Sequence, residues 1–235
     1  MKRITGTVAL LITLGMPLLL GFANIRLLIT PAFLDWEYGK PGFPPDRYGF
    51  SRQQRLELAP VAIEFLLSPD RPVEAIRLLR EQTLDGVQIY SQGELDHMID
   101  VKRLTDIILR VAWATGVIVI GGTLVLVWRS ETRGAAWNGL FNGAVLTAGI
   151  LAGISAYILV GWRSFFTRFH ELLFPPGSWT FAYSQTLIRL FPERLWFDVG
   201  VLLGVGTLVE AILIGLIARW LGRRHQGLGE HQKMN

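Results

Sequence analysis

Two histidines carry most of the reactive chemistry of this chain. Only four histidines are present, and His225 and His231 lie in a polar tail. The other two sit among carboxylates and aromatics. His97 falls in Glu94-Leu95-Asp96-His97-Met98-Ile99-Asp100, and His170 in Phe165-Phe166-Thr167-Arg168-Phe169-His170-Glu171. An imidazole exchanges a proton near neutral pH, because its unperturbed pKa is about 6.5. A carboxylate beside it can set its tautomer. Asp100 and Glu94 lie one helical turn from His97, and Glu171 follows His170. Either histidine alone reads as a hydrogen-bonded structural residue. The pair, brought to one membrane face, reads as a proton-transfer site. Two histidines with Asp96, Asp100 or Glu171 would be the rival, a metal site. No HExxH or HxH spacing occurs, so neither metal nor cofactor is expected.

The remaining chemistry is narrow. With no cysteine there is no thiolate nucleophile, thiolate metal site or disulfide. No Gly-x-Ser-x-Gly elbow, glycine-rich phosphate loop or nucleic-acid motif occurs. Net charge is +4 and the pI is near 9.7. In so apolar a chain, 51% hydrophobic with mean hydropathy +0.37, that excess concerns topology and anionic lipid, not nucleic acid.

The elements that must position the histidines follow from hydropathy. An apolar run from Ile4 to Ala23 follows Met1-Lys2-Arg3. It is long enough to cross a hydrocarbon core of about 30 Å and reads as an uncleaved first span, within residues 1–26, kinked at Pro17. Residues 27–106 read as an extracytoplasmic cap. It opens with Pro-Gly-aromatic loop chemistry over 33–45. A helix over 52–67 follows, started by a Ser51/Gln54 capping box, with its apolar face at 58, 61, 62, 65 and 66. A second helix is expected over 72–82. A third starts near Ser91, where Ser91 and Glu94 repeat the capping-box spacing, and runs on into span two. Spans two to four read as 107–128, 135–162 and 197–220, and a polar tail as 221–235. Between spans three and four, 163–196 is a second outer loop. In it His170 ends span three and Pro175-Pro176-Gly177 breaks the chain. The expected fold is an all-α membrane protein, four transmembrane helices in a bundle capped by a helical domain.

Lys2, Arg3, Arg129, Arg133 and the tail arginines mark one side as cytoplasmic. Both termini then face inward, and His97 and His170 share the outer face of the cell membrane. Tyr48 and Arg55 are candidates for binding a lipid ester or phosphate at that face. Asp198 is placed to assist the outer site. Trp36, Trp162, Trp179 and Trp196 read as interface anchors. Glu210, within span four, reads as protonated or bonded to another helix.

Four motifs in order resemble one family: Tyr48-Gly49-Phe50-Ser51 with Arg55-Leu56; Glu94 through Val101; Phe169-His170 through Ser178-Trp179-Thr180-Phe181; and Leu187 through Glu193 with Trp196 and Asp198. Together with the spans they cover nearly the whole chain and are similar to the bacterial integral membrane family that includes the lipoprotein intramolecular transacylase Lit. Gln53-Gln54 departs from it, where an acidic residue is expected before the arginine. The resemblance implies transfer of the sn-2 acyl chain of a diacylglyceryl-modified lipoprotein to the α-amino group of its N-terminal cysteine. It places the catalytic pair at His170 and His97. His170 is the expected base, with Asp100, Glu171, Tyr48, Arg55, Trp179 and Asp198 in support. The expected partners are that lipoprotein and membrane lipids, with the enzyme a monomer. A non-enzymatic membrane scaffold or lipid-binding protein, and an acyltransferase working on free phospholipid, are the alternative readings.

Overall fold

The computed structural model describes residues 2–234, with side chains described through 225. The tail beyond 225, His231 included, lies outside the described side chains. The chain is nearly all helical and divides into two compact units. One comprises 1–25, 109–160 and 203–235, and the other 26–108 and 161–202.

The first unit is apolar and is built from parts of the four helices that, among the described residues, are long and apolar enough to cross a membrane. Helix α1 (Lys2–Leu28) continues through Pro17. Helix α6 (Gln92–Gly116) runs through a π segment (Val117–Gly121) into α7 (Gly122–Trp128). Helix α8 spans Arg133–Val160 and α11 spans Glu193–Met234. Small residues let these helices touch, as packing without a hydrophobic driving force requires. A Cβ on Gly143 would stand 2.5 Å from Met16 Cγ, and one on Gly139 3.0 Å from the Ala9 carbonyl oxygen. The Thr13 hydroxyl donates to the Gly139 carbonyl at 3.1 Å. Glu210 accepts from Asn24 Nδ2 at 2.7 Å, so this intramembrane carboxylate ties α11 to α1.

The second unit is polar and builds its core from Leu34, Tyr38, Phe50, Phe65, Leu79, Leu95 and their neighbours. Its first helix, α2 (Pro31–Gly39), lies where loop chemistry was expected. Thr30 caps it by accepting from Phe33 N, and Pro31 at the first turn suits a fixed φ. Helix α3 (Arg52–Leu67) begins with both halves of the capping box, Gln54 N to Ser51 Oγ at 3.1 Å and Ser51 N to Gln54 Oε1 at 2.8 Å. The single helix expected over 72–82 is instead two short ones, α4 (Pro72–Ala75) and α5 (Arg77–Arg80). A hairpin follows, β1 (Thr83–Leu84) with β2 (Val87–Gln88). Its turn needs positive φ at Asp85 and Gly86, 53° and 78°, which Asp-Gly supplies. Two further helices complete the unit, α9 (Trp162–Leu173) and α10 (Thr186–Leu190).

Lys102 is fully buried on α6. Its ammonium donates to the carbonyls of Leu66 and Ser68 at the end of α3, at 3.4 and 2.8 Å, and faces Asp106 at 3.3 Å. A cation at a helix C-terminus satisfies orphan carbonyls and the dipole together. Lys102→Met keeps the bulk and strands those carbonyls. It is expected to destabilise the protein by about 1–3 kcal/mol. A thermal midpoint in detergent equal to the parent's would deny Lys102 this role.

Candidate active site

The polar unit brings His97 and His170 against one shared ring, that of Phe174. His97, on α6, has its ring centroid 4.9 Å from Phe174 and 5.4 Å from Phe181. His170, on α9, lies 5.6 Å from the same Phe174, 4.1 Å from Phe166 and 5.0 Å from Trp179. His97 is 9% exposed and His170 half-buried.

Local sequence explains both placements. The helix of the third apolar run ends at Val160, not at the histidine, and Gly161 is extended at φ −176°. Helix α9 then starts afresh. Trp162, Phe165, Phe166 and Phe169 repeat at i, i+3, i+4 and i+7, with Arg163, Arg168 and Glu171 exposed elsewhere on the helix. His170 is thus carried by a short amphipathic helix instead of the end of a span. Phe174, next to Pro175, is forced into extended backbone, φ −130° and ψ 151°. Pro176-Gly177, with φ 79° at Gly177, then makes a turn closed by Ser178 N to the Pro175 carbonyl at 3.2 Å. That turn folds Trp179 back onto His170. On the other side Glu94, buried on α6, accepts from Ser91 N and Oγ at 2.8 and 2.9 Å and from Leu187 N at 2.8 Å. This carboxylate fixes the 181–187 segment beside α6, where Phe181 meets His97.

The polar atoms give the two imidazoles different characters. His170 Nδ1 is 2.8 Å from the Phe166 carbonyl oxygen, one turn back. A carbonyl only accepts, so Nδ1 carries the proton and Nε2 keeps its lone pair. His97 Nδ1 is buried and, among the described residues, has no hydrogen-bond partner. Burial lowers the pKa of His170, partly offset by that backbone bond. His97 precedes the apolar run that opens at Ile107. Burial first, and His170 second, push it down to about 4, against a smaller opposing effect of Asp100. Both rings are therefore neutral at pH 7.

Of the supporting residues, Trp179 meets an imidazole and the others have different partners. Asp100 pairs with Arg103 at 2.8 Å, and Glu171 with Arg168 at 2.8 Å, so neither hydrogen-bonds an imidazole. Each has a cation three residues away along its own helix, which outcompetes the ring. The backbone of Phe166 does the orienting instead. Arg55 is 5% exposed rather than on a solvated face; it donates to the Pro44 carbonyl at 2.8 Å and lies over Tyr38 and Phe43. Tyr48 is exposed, its amide held by Asp46. Trp179, expected to be an interface anchor, packs on His170 with its indole N–H buried and, among the described residues, unpartnered. Asp198 joins Lys40 and Arg194, each at 3.0 Å, rather than the histidines. Among the described residues no group of three or more His, Asp and Glu side chains could hold a metal ion. The aromatic walls Phe166, Phe174 and Phe181 were not singled out; Phe166, at i−4 from His170, was readable from spacing alone.

Four apolar helices and a polar helical unit with paired histidines define an all-α, multi-pass integral membrane protein. A family description, lipoprotein intramolecular transacylase Lit, matches residues 8–196. The chain therefore belongs to the Lit family and is an acyl-transferring enzyme of lipoproteins. A protein from Aquifex aeolicus (strain VF5), described as uncharacterized, is 32% identical over 196 residues, 81% of this chain and 80% of that one. The solved structure of the membrane integral Lit from Bacillus cereus matches with a TM-score of 0.78 at 20% identity, over 96% of this chain and 99% of that one. A histidine-to-alanine variant of the Bacillus enzyme matches with a TM-score of 0.69 at 19% identity, over 96% of each chain. At these identities the likeness is one of fold.

Proposed function

We propose that the protein moves the sn-2 acyl chain of a diacylglyceryl lipoprotein onto the α-amino group of its N-terminal cysteine, with His170 as base. The observation that carries this reading is the His170 Nδ1 contact with the Phe166 carbonyl, which leaves Nε2 free to accept a proton. The amine nitrogen attacks the ester carbonyl carbon, and Nε2 takes the proton that the nitrogen sheds. The C–O bond to the glyceryl sn-2 oxygen then breaks, and that oxygen receives the proton from the imidazolium. The products are an amide and a free sn-2 hydroxyl. His97, neutral, donates an N–H to the oxygen that becomes negative in the transition state. Amine and ester belong to one substrate, so the enzyme's main task is to hold a reactive conformer between aromatic walls. No enzyme nucleophile is needed, in keeping with a chain without cysteine.

The site lies at the outer face of the cell membrane in this reading, with both termini cytoplasmic and 27–106 and 163–196 outside. Arg129 and Arg133 between spans two and three, and Arg223 and Arg224 after span four, support that orientation. The enzyme acts as a monomer, since one chain carries both histidines.

Transfer within one molecule is an isomerisation, so the mass of the lipopeptide stays constant while its free amine disappears. Purified enzyme in vesicles of isotope-labelled phospholipid, given an unlabelled diacylglyceryl lipopeptide, is expected to yield an unlabelled N-acyl fragment in tandem mass spectrometry. A labelled N-acyl chain would favour transfer from free phospholipid instead.

A further inference from the structure

The polar unit contains a concavity separate from the paired histidines. It is an open cleft of about 670 Å³ with largely polar walls. Ser91 and Glu94 at the start of α6 line one side, Ser184 to Thr186 another, and Val87 and Gln88 of β2 a third. Two of these walls are the segments that hold His97. Glu94 precedes His97 by one turn, about 4.5 Å of helix rise. Phe181, against His97, precedes Ser184 by three residues.

Two of the cleft's three charged groups, Glu94 and Arg189, are already engaged, and the third, Asp85, is an exposed carboxylate on the hairpin turn. Arg189 Nε donates to Asp46 at 2.9 Å and its guanidinium lies 3.4 Å over Phe50. Both oxygens of Glu94 accept from Ser91 and Leu187. An anionic headgroup would therefore meet no free cation among these residues. What the walls offer is neutral hydrogen bonding. Among the described residues β2 pairs only with β1, so one edge of it carries no strand. Thr186 Oγ1 donates to the Ile89 carbonyl, which ties the residue after β2 to the 184–186 wall. An unpaired strand edge between hydroxyls and amides suits an extended polypeptide.

We propose that this cleft binds the peptide segment immediately following the lipidated cysteine of the lipoprotein substrate. The inference rests on the transacylase reading and extends it from the lipid to the polypeptide. An extended chain advances about 3.3 Å per residue, so a substrate whose first residue reacts beside His97 enters the cleft at about its second or third. The cleft then holds backbone rather than particular side chains, which lets one enzyme serve lipoproteins of different sequence.

The test uses the absence of native cysteine. Gln88→Cys, at an exposed position on the cleft wall, introduces a unique thiol. The full-length protein is assayed before and after reaction with a bulky maleimide, so folding is the same in both arms. Two substrates are compared, a diacylglyceryl lipopeptide with several residues after the cysteine and diacylglyceryl cysteine amide with none. Labelling is expected to raise KM for the lipopeptide about tenfold with kcat kept, the mark of lost uniform binding, and to leave the cysteine amide unaffected. Unchanged KM for the lipopeptide, or an equal rise for both substrates, overturns the proposal while the activity stands. If the unlabelled enzyme converts neither substrate, the transacylase reading fails and this inference with it.

Discussion

His170→Ala is expected to slow acyl transfer by about 10²–10⁴-fold, the usual worth of a positioned general base. Nε2 is the group lost, and the loss falls on kcat, since the ring packs among aromatics that still receive the acyl chains. Free imidazole added to the alanine variant is expected to restore part of the rate. A purely structural histidine would give no such rescue. The pH dependence has a definite sign. The base must be neutral, and burial holds the His170 pKa below its ordinary 6.5. Activity of the bound complex is therefore full above that value and falls only as pH drops through a midpoint lower than 6.5. In kcat/KM the free substrate's α-amino group, with a pKa of about 7.7–8.0, adds a further loss as pH falls. An enzyme with an unchanged acid limb after His170→Ala would remove His170 from the proton path.

His97→Phe is the complementary experiment, because it separates chemistry from packing. The phenyl ring fills the space beside Phe174 and Phe181 and carries no N–H. Transfer is expected to slow by about 10²–10³-fold, the worth of one donor to a developing oxyanion. Stability moves in the opposite sense. His97 has its pKa pushed to about 4 in the folded protein, against 6.5 as its ordinary value. Between those values the unfolded chain binds the proton and the folded one does not. The stability from the neutral ring is complete above pH 6.5 and is lost as pH falls from 6.5 to 4, by about 3 kcal/mol in all. The parent's thermal midpoint in detergent should thus fall more steeply than the variant's across that window. Parallel curves would mean that His97 is not buried in its neutral form.

Both capping boxes were legible before the structure, because Ser51/Gln54 and Ser91/Glu94 are purely local devices. The apolar runs were equally plain, since about twenty residues must be apolar to cross a bilayer. What escaped was decided by competition between partners. Asp100 and Glu171 lie close to the histidines in sequence, yet each has an arginine three residues away. Arg55 reads as a surface residue until Tyr38, Phe43 and the Pro44 carbonyl, all distant in the helical register, close around it. Two misses had visible signals. Thr30-Pro31 is a helix start, and Asp85-Gly86 is the turn of a hairpin that follows the two short helices. Gly161 is subtler: only the aromatic periodicity after it, set against the uniform apolarity before it, marks a new helix.

The residues just before α11 have a consequence for biogenesis. Tyr38 Oη donates to the Leu190 carbonyl at 2.7 Å, Asp46 holds Arg189, and Glu94 holds the Leu187 amide. These closures join positions 152, 143 and 93 residues apart in the chain. Contacts of such sequence separation form late, because the entropy of closing long loops must be met first. A ribosome that has released everything up to His170 has made both imidazoles but none of these clasps. Closure of the polar unit therefore waits on the 187–190 stretch, the last to be made before the fourth span.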